Sequence, residues 1–398
     1  MTTAPGTEDH WEHRCIISGI GISEVGRRTG RSGLELTVEA AREAIADAGL
    51  TPDDINGVTT VGETPLADAV AALGLAPTWT GEGSSPVGGS MAGVHNACRA
   101  AASGAARHVL VYRSVAMLGG SVMGSDAPSA RTAPREGDGG DGPRMMDDLG
   151  ELLAANAYSA ANWVGMHAQR HMHLYGTTRE QMGWVAVNAR RHAALNPRAI
   201  YREPLTIDDY LAARMISDPL GLFDCDVPVD AACAFVVSHA DTAPDHPKPA
   251  VRVQAAARVS DPIGGWLRRA DYPRMASADA ARELWNRAEL GPRDLDFAEL
   301  YDGFSFLTLV WLEALGICGV GESGAYVEGG QRLALDGELP LNTYGGQLSA
   351  GRMHGHWVLH EACTQLRGEA GPRQVPAHEV AAVSTGGGPF ATCMLLTT

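Results

Sequence analysis

No two cysteines stand in a CxxC spacing. The seven present, at 15, 98, 225, 233, 318, 363 and 393, are scattered and odd in number. That excludes a zinc-finger ligand set and a disulfide framework. Basic residues are scarce too: 31 Lys and Arg face 47 Asp and Glu, for a formal charge of −16. Nonspecific binding of nucleic-acid phosphate is therefore not expected, although a local basic cleft for an anionic ligand is allowed. No apolar run reaches the length of a membrane span. The stretch MTTAPGTEDHWEHR lacks the basic flank and apolar core of a secretory signal, so cytoplasmic residence is the expectation. Aromatics make up 6% of the chain and tyrosines number nine, so the place of each tyrosine is informative.

The 398 residues, 45% hydrophobic, can bury a large core and suggest two globular layers or domains. An internal repeat organises them. AAREAIADAGLTPDDING (40–57) matches AARELWNRAELGPRDLDF (280–297) at one offset, pairing Ala40 with Ala280, Ala41 with Ala281, Arg42 with Arg282 and Glu43 with Glu283. Each copy reads as an amphipathic helix, then a Pro-Asp turn, then a β-rich run. HNAC (95–98) echoes HEAC (360–363) in the same way. Apolar runs such as HVLVYRSVAML, AFVVSH and ATCMLLTT, separated by helices, predict strands buried on both faces in a layered α/β fold. The halves are expected at 1–245 and 246–398, with an insertion at about 124–174 whose Gly-, Pro- and charge-rich part (124–148) reads as a loop.

Five stretches carry a resemblance: YGTTREQMGWVAVNARRHAALNPRA (175–199), DPLGLFDCDVPVDAACAFVV (218–237), ELYDGFSF (299–306), LNTYGGQLSAGRMHG (341–355) and VSTGGGP (383–389). They are similar to the sterol-carrier or lipid-transfer-protein branch of the thiolase superfamily. The resemblance implies duplicated βαβαβαββ halves in a five-layer αβαβα sandwich. It also exposes departures. Counting back from Ser103-Gly104 places PVGGS (86–90) on the family's nucleophile turn, so Pro86 stands where the catalytic cysteine belongs. Cys98 falls deep in the next helix and reads as a structural thiol, and Ser84 or Ser85 would need an adjacent base. The family's HDCFS is here YDGFS, placing Tyr301 at a histidine position; GHPLG is here GRMHG, placing Arg352 at another, with His354 two residues on. Ser384-Thr385 matches the late cysteine, whose proton shuttling a hydroxyl does not reproduce.

Claisen chemistry is thereby removed, and Tyr301, Tyr344, His354 and Arg352 remain as candidate catalytic groups. With a β-hydroxyacyl-CoA they suit a retro-aldol cleavage, one tyrosine as base and the other as acid, while His354 or Arg352 holds the enolate. A tyrosine base needs its value lowered from about 10 by roughly two to three units, and an adjacent cation such as Arg352 supplies on the order of one to three. Loops carrying YDGF and Tyr-Gly-Gly…Arg-Met-His-Gly resemble the steroid side-chain-cleaving aldolases of actinobacteria. That implies a 17-hydroxysteroid C22-oyl-CoA as substrate, a 17-ketosteroid and propionyl-CoA as products, and no cofactor beyond the substrate's own CoA. It further implies a homodimer and an OB-fold/zinc-ribbon partner domain of an acyl-CoA hydratase subunit. Asp302, Gly345, Gly346 and Ser85 are expected to face the substrate; Arg268, Arg269 and Tyr272, in IGGWLRRADYPR (263–274), are candidates for CoA. Two other readings stay open: a degenerate thiolase or acyltransferase working through Ser84 or Ser85, and a non-catalytic lipid-binding subunit. Asp224, Asp226 and Asp230 read as a strand entrance rather than a metal site, and His167, His171 and His173 as core or solvated helix residues.

Overall fold

The computed structural model describes residues 10–61, 64–82, 91–116, 149–261 and 265–398. The first half runs β1 (Cys15–Ile22), α1 (Gly33–Asp47), β2 (Gly57–Thr60), α2 (Leu66–Leu73), β3 (Trp79–Glu82), α3 (Ala92–Ser103) and β4 (His108–Ala116). Then α4 (Leu149–Ala154), α5 (Ala160–Tyr175), α6 (Arg179–Ala193), α7 (Ile207–Ala212) and a small hairpin, β5 (Met215–Ser217) with β6 (Leu220–Gly221), precede β7 (Asp230–His239). The second half runs β8 (Val251–Ser260), α8 (Ala276–Arg287), β9 (Phe297–Glu299), α9 (Ser305–Ala314), α10 (Ser323–Val327), α11 (His356–Leu366), β10 (Val380–Gly386) and β11 (Phe390–Thr397). Ser84, Ser85, Pro86 and the 124–148 loop lie outside the described residues.

The strands form a sheet in the order β3-β2-β4-β7-β1-β8-β11-β10-β9. Its pairing reads the same from either end. β2 is parallel to β4 as β9 is to β10, and β4–β7–β1 are antiparallel as β10–β11–β8 are. Even the outer pair β2–β3 has a remnant in the second half, a single parallel bridge between Ala298 and Leu341. At the centre, β1 and β8 share two residue pairs, Ile16 with Arg252 and Ile17 with Val251.

Alternation along the strands sorts the core into layers. Val109, Val111 and Val115 of β4, Cys233 and Phe235 of β7, Val383 of β10 and Met394 of β11 face one inner cluster, with Val94 and Ala97 of α3 and Val358 and Ala362 of α11 between the half-sheets. Their neighbours Leu110 and Tyr112 face α1, while Ala382, Cys393 and Leu395 join α8 and α9 in another cluster. The result is the αβαβα stack expected from the resemblance.

The repeated helix explains its own conservation between halves. Ala40 and Ala41 in α1, and Ala280 and Ala281 in α8, are fully buried against the sheet, whereas Arg42, Glu43, Arg282 and Glu283 are exposed. Small side chains let the helix sit close: a Cβ on Gly19 of β1 would overlap the Ala44 carbonyl oxygen and lie 2.8 Å from the Ala48 Cβ. Ser32 with Glu35 and Thr178 with Gln181 form capping boxes that start α1 and α6. His95 and His360, from the echoed HNAC and HEAC, occupy α3 and α11, and burial first of all pushes both down, to about 4 and about 3.

Gly19→Ala is expected to destabilise the protein by about 1–3 kcal/mol through overpacking. The measurement is a lower urea midpoint at unchanged slope.

Candidate functional site

The site forms where three chain segments cross. The YDGF turn, 301–304, joins β9 to α9. The glycine-rich loop, 341–355, leads into α11 through one π-turn, Gly346–Ala350. The strand-like segment 225–229 leads into β7 and is laced to both. Asp226 N–H donates to the Gly303 carbonyl at 3.3 Å, Val227 N–H to the Gln347 carbonyl at 2.9 Å, and Arg352 N–H to the Val227 carbonyl at 2.8 Å.

Asp302 ties the turn to the loop. Its carboxylate accepts the backbone N–H groups of Gln347 at 2.9 Å and Leu348 at 3.5 Å. It lies so close to Gly346, whose φ is +62°, that a Cβ there would overlap it. Gly345 likewise leaves no room for a side chain beside Ala193. The two glycines thus face protein at the positions a side chain would fill. Asp302 is fully buried and burial pushes it up to about 6, with the two backbone donors pulling the other way.

Within the loop and the first turn of α11, residues 341–359, Arg352 and His354 alone are not buried. Tyr301 and Asp226 are half-buried beside them. Arg352 Nη1 meets Asp226 Oδ1 at 3.3 Å. His354, at φ +49°, places Nδ1 2.8 Å from Arg113 Nη2. A guanidinium has only donors, so Nδ1 accepts and the ring proton sits on Nε2. Arg113 also donates to the Val61 carbonyl. This arginine escaped the sequence reading because HVLVYRSVA looks like a uniform buried strand. Its signal was being the one charge in that run, at a parity shared with Val109, Val111 and Val115, which face the middle of the molecule.

The phenols depart from expectation. Tyr301 is pushed up rather than down, by burial first and then by Asp226, which outweighs Arg352. Tyr344 is also pushed well up, by burial and then by Asp302, Glu299 and Glu361. Neither is a base near neutral pH. The difference has a physical source: the sequence presents Arg352 as an uncompensated cation, and folding brings Asp226 to compensate it. Tyr344 is wholly buried, its ring 5.1 Å from Trp357, and its hydroxyl has no hydrogen-bond partner among the described residues. Gln347 Nε2, both ring nitrogens of His356 and Thr385 Oγ1 are unpaired in the same sense, an unusual density of unmet polar groups. Ser384, on the late-cysteine position, uses its oxygen to accept the Tyr301 N–H at 3.1 Å.

The three residues expected to hold CoA lie on a separate strap, 265–274, whose Trp266 covers Gly388 in the tri-glycine turn. Arg269 is committed to Asp261, Asp271 and Asp279 at 2.8–2.9 Å, so three carboxylates already neutralise the charge a phosphate would seek. Arg268 pairs with exposed Glu151 at 3.1 Å, and Tyr272 packs on His167 with ring centroids 4.4 Å apart. His167 and His171 are buried; the latter contacts Glu313 at 2.9 Å. Asp224 accepts from the Tyr210 and Ser305 hydroxyls and from Gly221 N–H, a lock on the strand entrance. Cys98 is fully buried in the inner cluster. Burial first of all pushes the Cys225, Cys318 and Cys363 thiols up to about 12. Among the described residues no cluster of His, Cys, Asp and Glu could hold a metal ion.

Residues 266–397 match the family model for a thiolase C-terminal domain-like region. The chain is 36% identical over 372 residues to a 17-hydroxy-3-oxo-4-pregnene-20-carboxyl-CoA lyase of Mycobacterium tuberculosis, covering 89% of this chain and 92% of that one. It is also 36% identical over 390 residues to a steroid side-chain-cleaving aldolase of Thermomonospora curvata, covering 92% of each. A solved Ltp2-ChsH2(DUF35) aldolase superposes with a TM-score of 0.85 at 32% identity, covering 97% of this chain and 98% of that chain.

Replacing Arg113 by Met removes the donor that fixes the His354 tautomer. Turnover is expected to fall about a hundredfold, and nitrogen NMR of labelled histidine to show His354 leaving the Nε2–H form.

Proposed function

The chain belongs to the steroid side-chain-cleaving aldolases of the thiolase superfamily, and we propose that it splits a 17-hydroxysteroid C22-oyl-CoA into a 17-ketosteroid and propionyl-CoA. It is a carbon–carbon lyase acting on a steroid acyl-CoA. The observation that carries this reading is the composition of the cleft: neutral phenol, imidazole N–H and guanidinium stand together on the two loops where the superfamily places its histidines. Such groups move protons and hold negative charge, while burial holds the Cys225, Cys318 and Cys363 thiols protonated.

Breaking the bond between the hydroxyl-bearing carbon and the thioester's α-carbon leaves an electron pair that delocalises into the thioester as an enolate. His354, through Nε2–H, and Arg352 stabilise the enolate oxygen; donors aligned before the charge develops do this without reorganisation. Tyr301 in its neutral form is the acid that delivers a proton to the α-carbon. The Tyr344 hydroxyl is buried without a partner among the described residues, and burying such a group unpaired costs about 1–3 kcal/mol. That cost is understandable if bound substrate, with its water, completes the hydrogen bond.

The reaction requires no cofactor beyond the CoA of the substrate. The complex form of the solved relative supports a partner of the DUF35 type, an OB-fold/zinc-ribbon domain of an acyl-CoA hydratase subunit. A homodimer is the arrangement we propose for the chain itself, in the cytoplasm; among the described residues no helix is long and apolar enough to cross a membrane.

The test is co-expression with such a subunit and mass spectrometry of the products from a 17-hydroxysteroid-22-oyl-CoA. A covalent acyl-serine during turnover, or tight binding without products, would overturn the reading. Tyr301→Phe is expected to lower turnover by about a hundredfold or more. Tyr344→Phe separates function from filling: melting temperature should hold or rise as the unpaired hydroxyl is lost, while turnover falls.

A further inference from the structure

The aldol cleavage still lacks a proton acceptor, and the inference drawn here rests on that reading of the site. Cleavage starts with removal of the 17-hydroxyl proton. Around the cleft, Arg352 and Arg113 carry only N–H groups. His354 has its acceptor nitrogen turned to Arg113 and its N–H on the other side. Tyr301 is held as the phenol. Asp302 is a carboxylate, but it is fully buried and both its oxygens accept backbone N–H groups. Asp226 differs from all of these. Its side chain is 12% exposed, its Oδ1 meets Arg352 at 3.3 Å, and its backbone is pinned to Gly303 of the YDGF turn. It also stands close enough to Tyr301 to be the largest charge acting on that phenol.

We propose that Asp226 is the general base of the cleavage, its carboxylate taking the proton from the 17-hydroxyl of the bound substrate. As the O–H bond breaks, its electron pair becomes the second bond of the C17 carbonyl. The C17–C20 bond breaks, and its pair moves into the thioester as the enolate. Tyr301 gives its proton to C20, and the resulting phenolate takes the proton held on Asp226, which restores the phenol and the carboxylate. The hydroxyl proton has been exchanged for one on carbon, nothing is oxidised or reduced, and no co-reactant is consumed.

The surroundings suit this role. Burial lifts Asp226 to about 6, with Arg352 pulling it down, so it is ionised at neutral pH and still more basic than an exposed carboxylate. The groups that face it come from each neighbouring segment: Arg352 on the glycine loop, Tyr301 and Asp302 on the turn, and Cys225 on its own segment. A base must be deprotonated, so activity is lost as pH falls through its value.

The experiment measures propionyl-CoA release by the chain with its partner subunit from 17-hydroxysteroid-22-oyl-CoA as a function of pH. Wild-type turnover is expected to rise with pH through about 6. Asp226→Asn should lose roughly a hundredfold or more in kcat, with KM within a few-fold and no acid limb remaining. Asp302 is also displaced to about 6, and loss of the limb in Asp226→Asn assigns it to Asp226. Asp226→Glu, which retains the charge beside Arg352, should keep an acid limb and part of the turnover. If wild type released no propionyl-CoA, the aldolase reading itself would fall. If wild type turned over and Asp226→Asn matched it or kept the acid limb, the base assignment alone would fall. Should the Asn variant fail to fold by thermal melting, the Glu variant decides: rate and limb both identical to wild type overturn the proposal.

Discussion

The carboxylate of Asp302 is the joint on which the site depends. It is borne on the turn after β9, yet its hydrogen bonds are to the backbone of the loop before α11. Those two loops belong to the same half of the chain, yet the donor and acceptor stand 45 positions apart in sequence. A charged group at such a position is costly to bury unless donors converge on it, and the π-turn supplies them. Gly346 is the consequence: the donors converge closely enough that any side chain at that position would displace the carboxylate. Tyr301 on one side of the joint and Arg352 and His354 on the other are thereby held in one cleft.

Charge balance decides what the cleft can do. Two guanidiniums, Arg113 and Arg352, stand with two carboxylates, Asp226 and Asp302, around a phenol. Each cation is engaged, Arg352 by Asp226 and Arg113 by the His354 imidazole and the Val61 carbonyl. The phenol therefore experiences burial more than attraction, and stays protonated. Acid and base are separated between a tyrosine and an aspartate, a division common where one environment must hold both forms ready.

Much of the architecture was legible in the chain. The repeated AARE helix predicted twin halves because the residues that match, Ala40 and Ala41 with Ala280 and Ala281, are those that touch the sheet. Tyr301, Arg352 and His354 were legible as substitutions on recognisable loops, and all three come together. What the sequence concealed was pairing across distance. Asp226 precedes Arg352 by 126 positions, and nothing local says that they meet, so the tyrosines were given a shift of the wrong sign. Arg113 was hidden by the apolar strand around it. Arg269 misled in the opposite sense, since RRAD reads as an open basic patch while folding brings Asp261 and Asp279 in to join its own Asp271.

The seam between the halves is narrow, two residue pairs between β1 and β8. Beyond those pairs the halves meet through the inner cluster that α3 and α11 both join and through ion pairs such as Arg287 with Glu12 and Arg367 with Asp47. Both helices also lead away from positions where the superfamily does its chemistry, the motif at 86–90 and the loop at 341–355. Any force that slides one half past the other must be felt at the cleft first, so catalytic alignment and the mechanical integrity of the whole molecule are one property here.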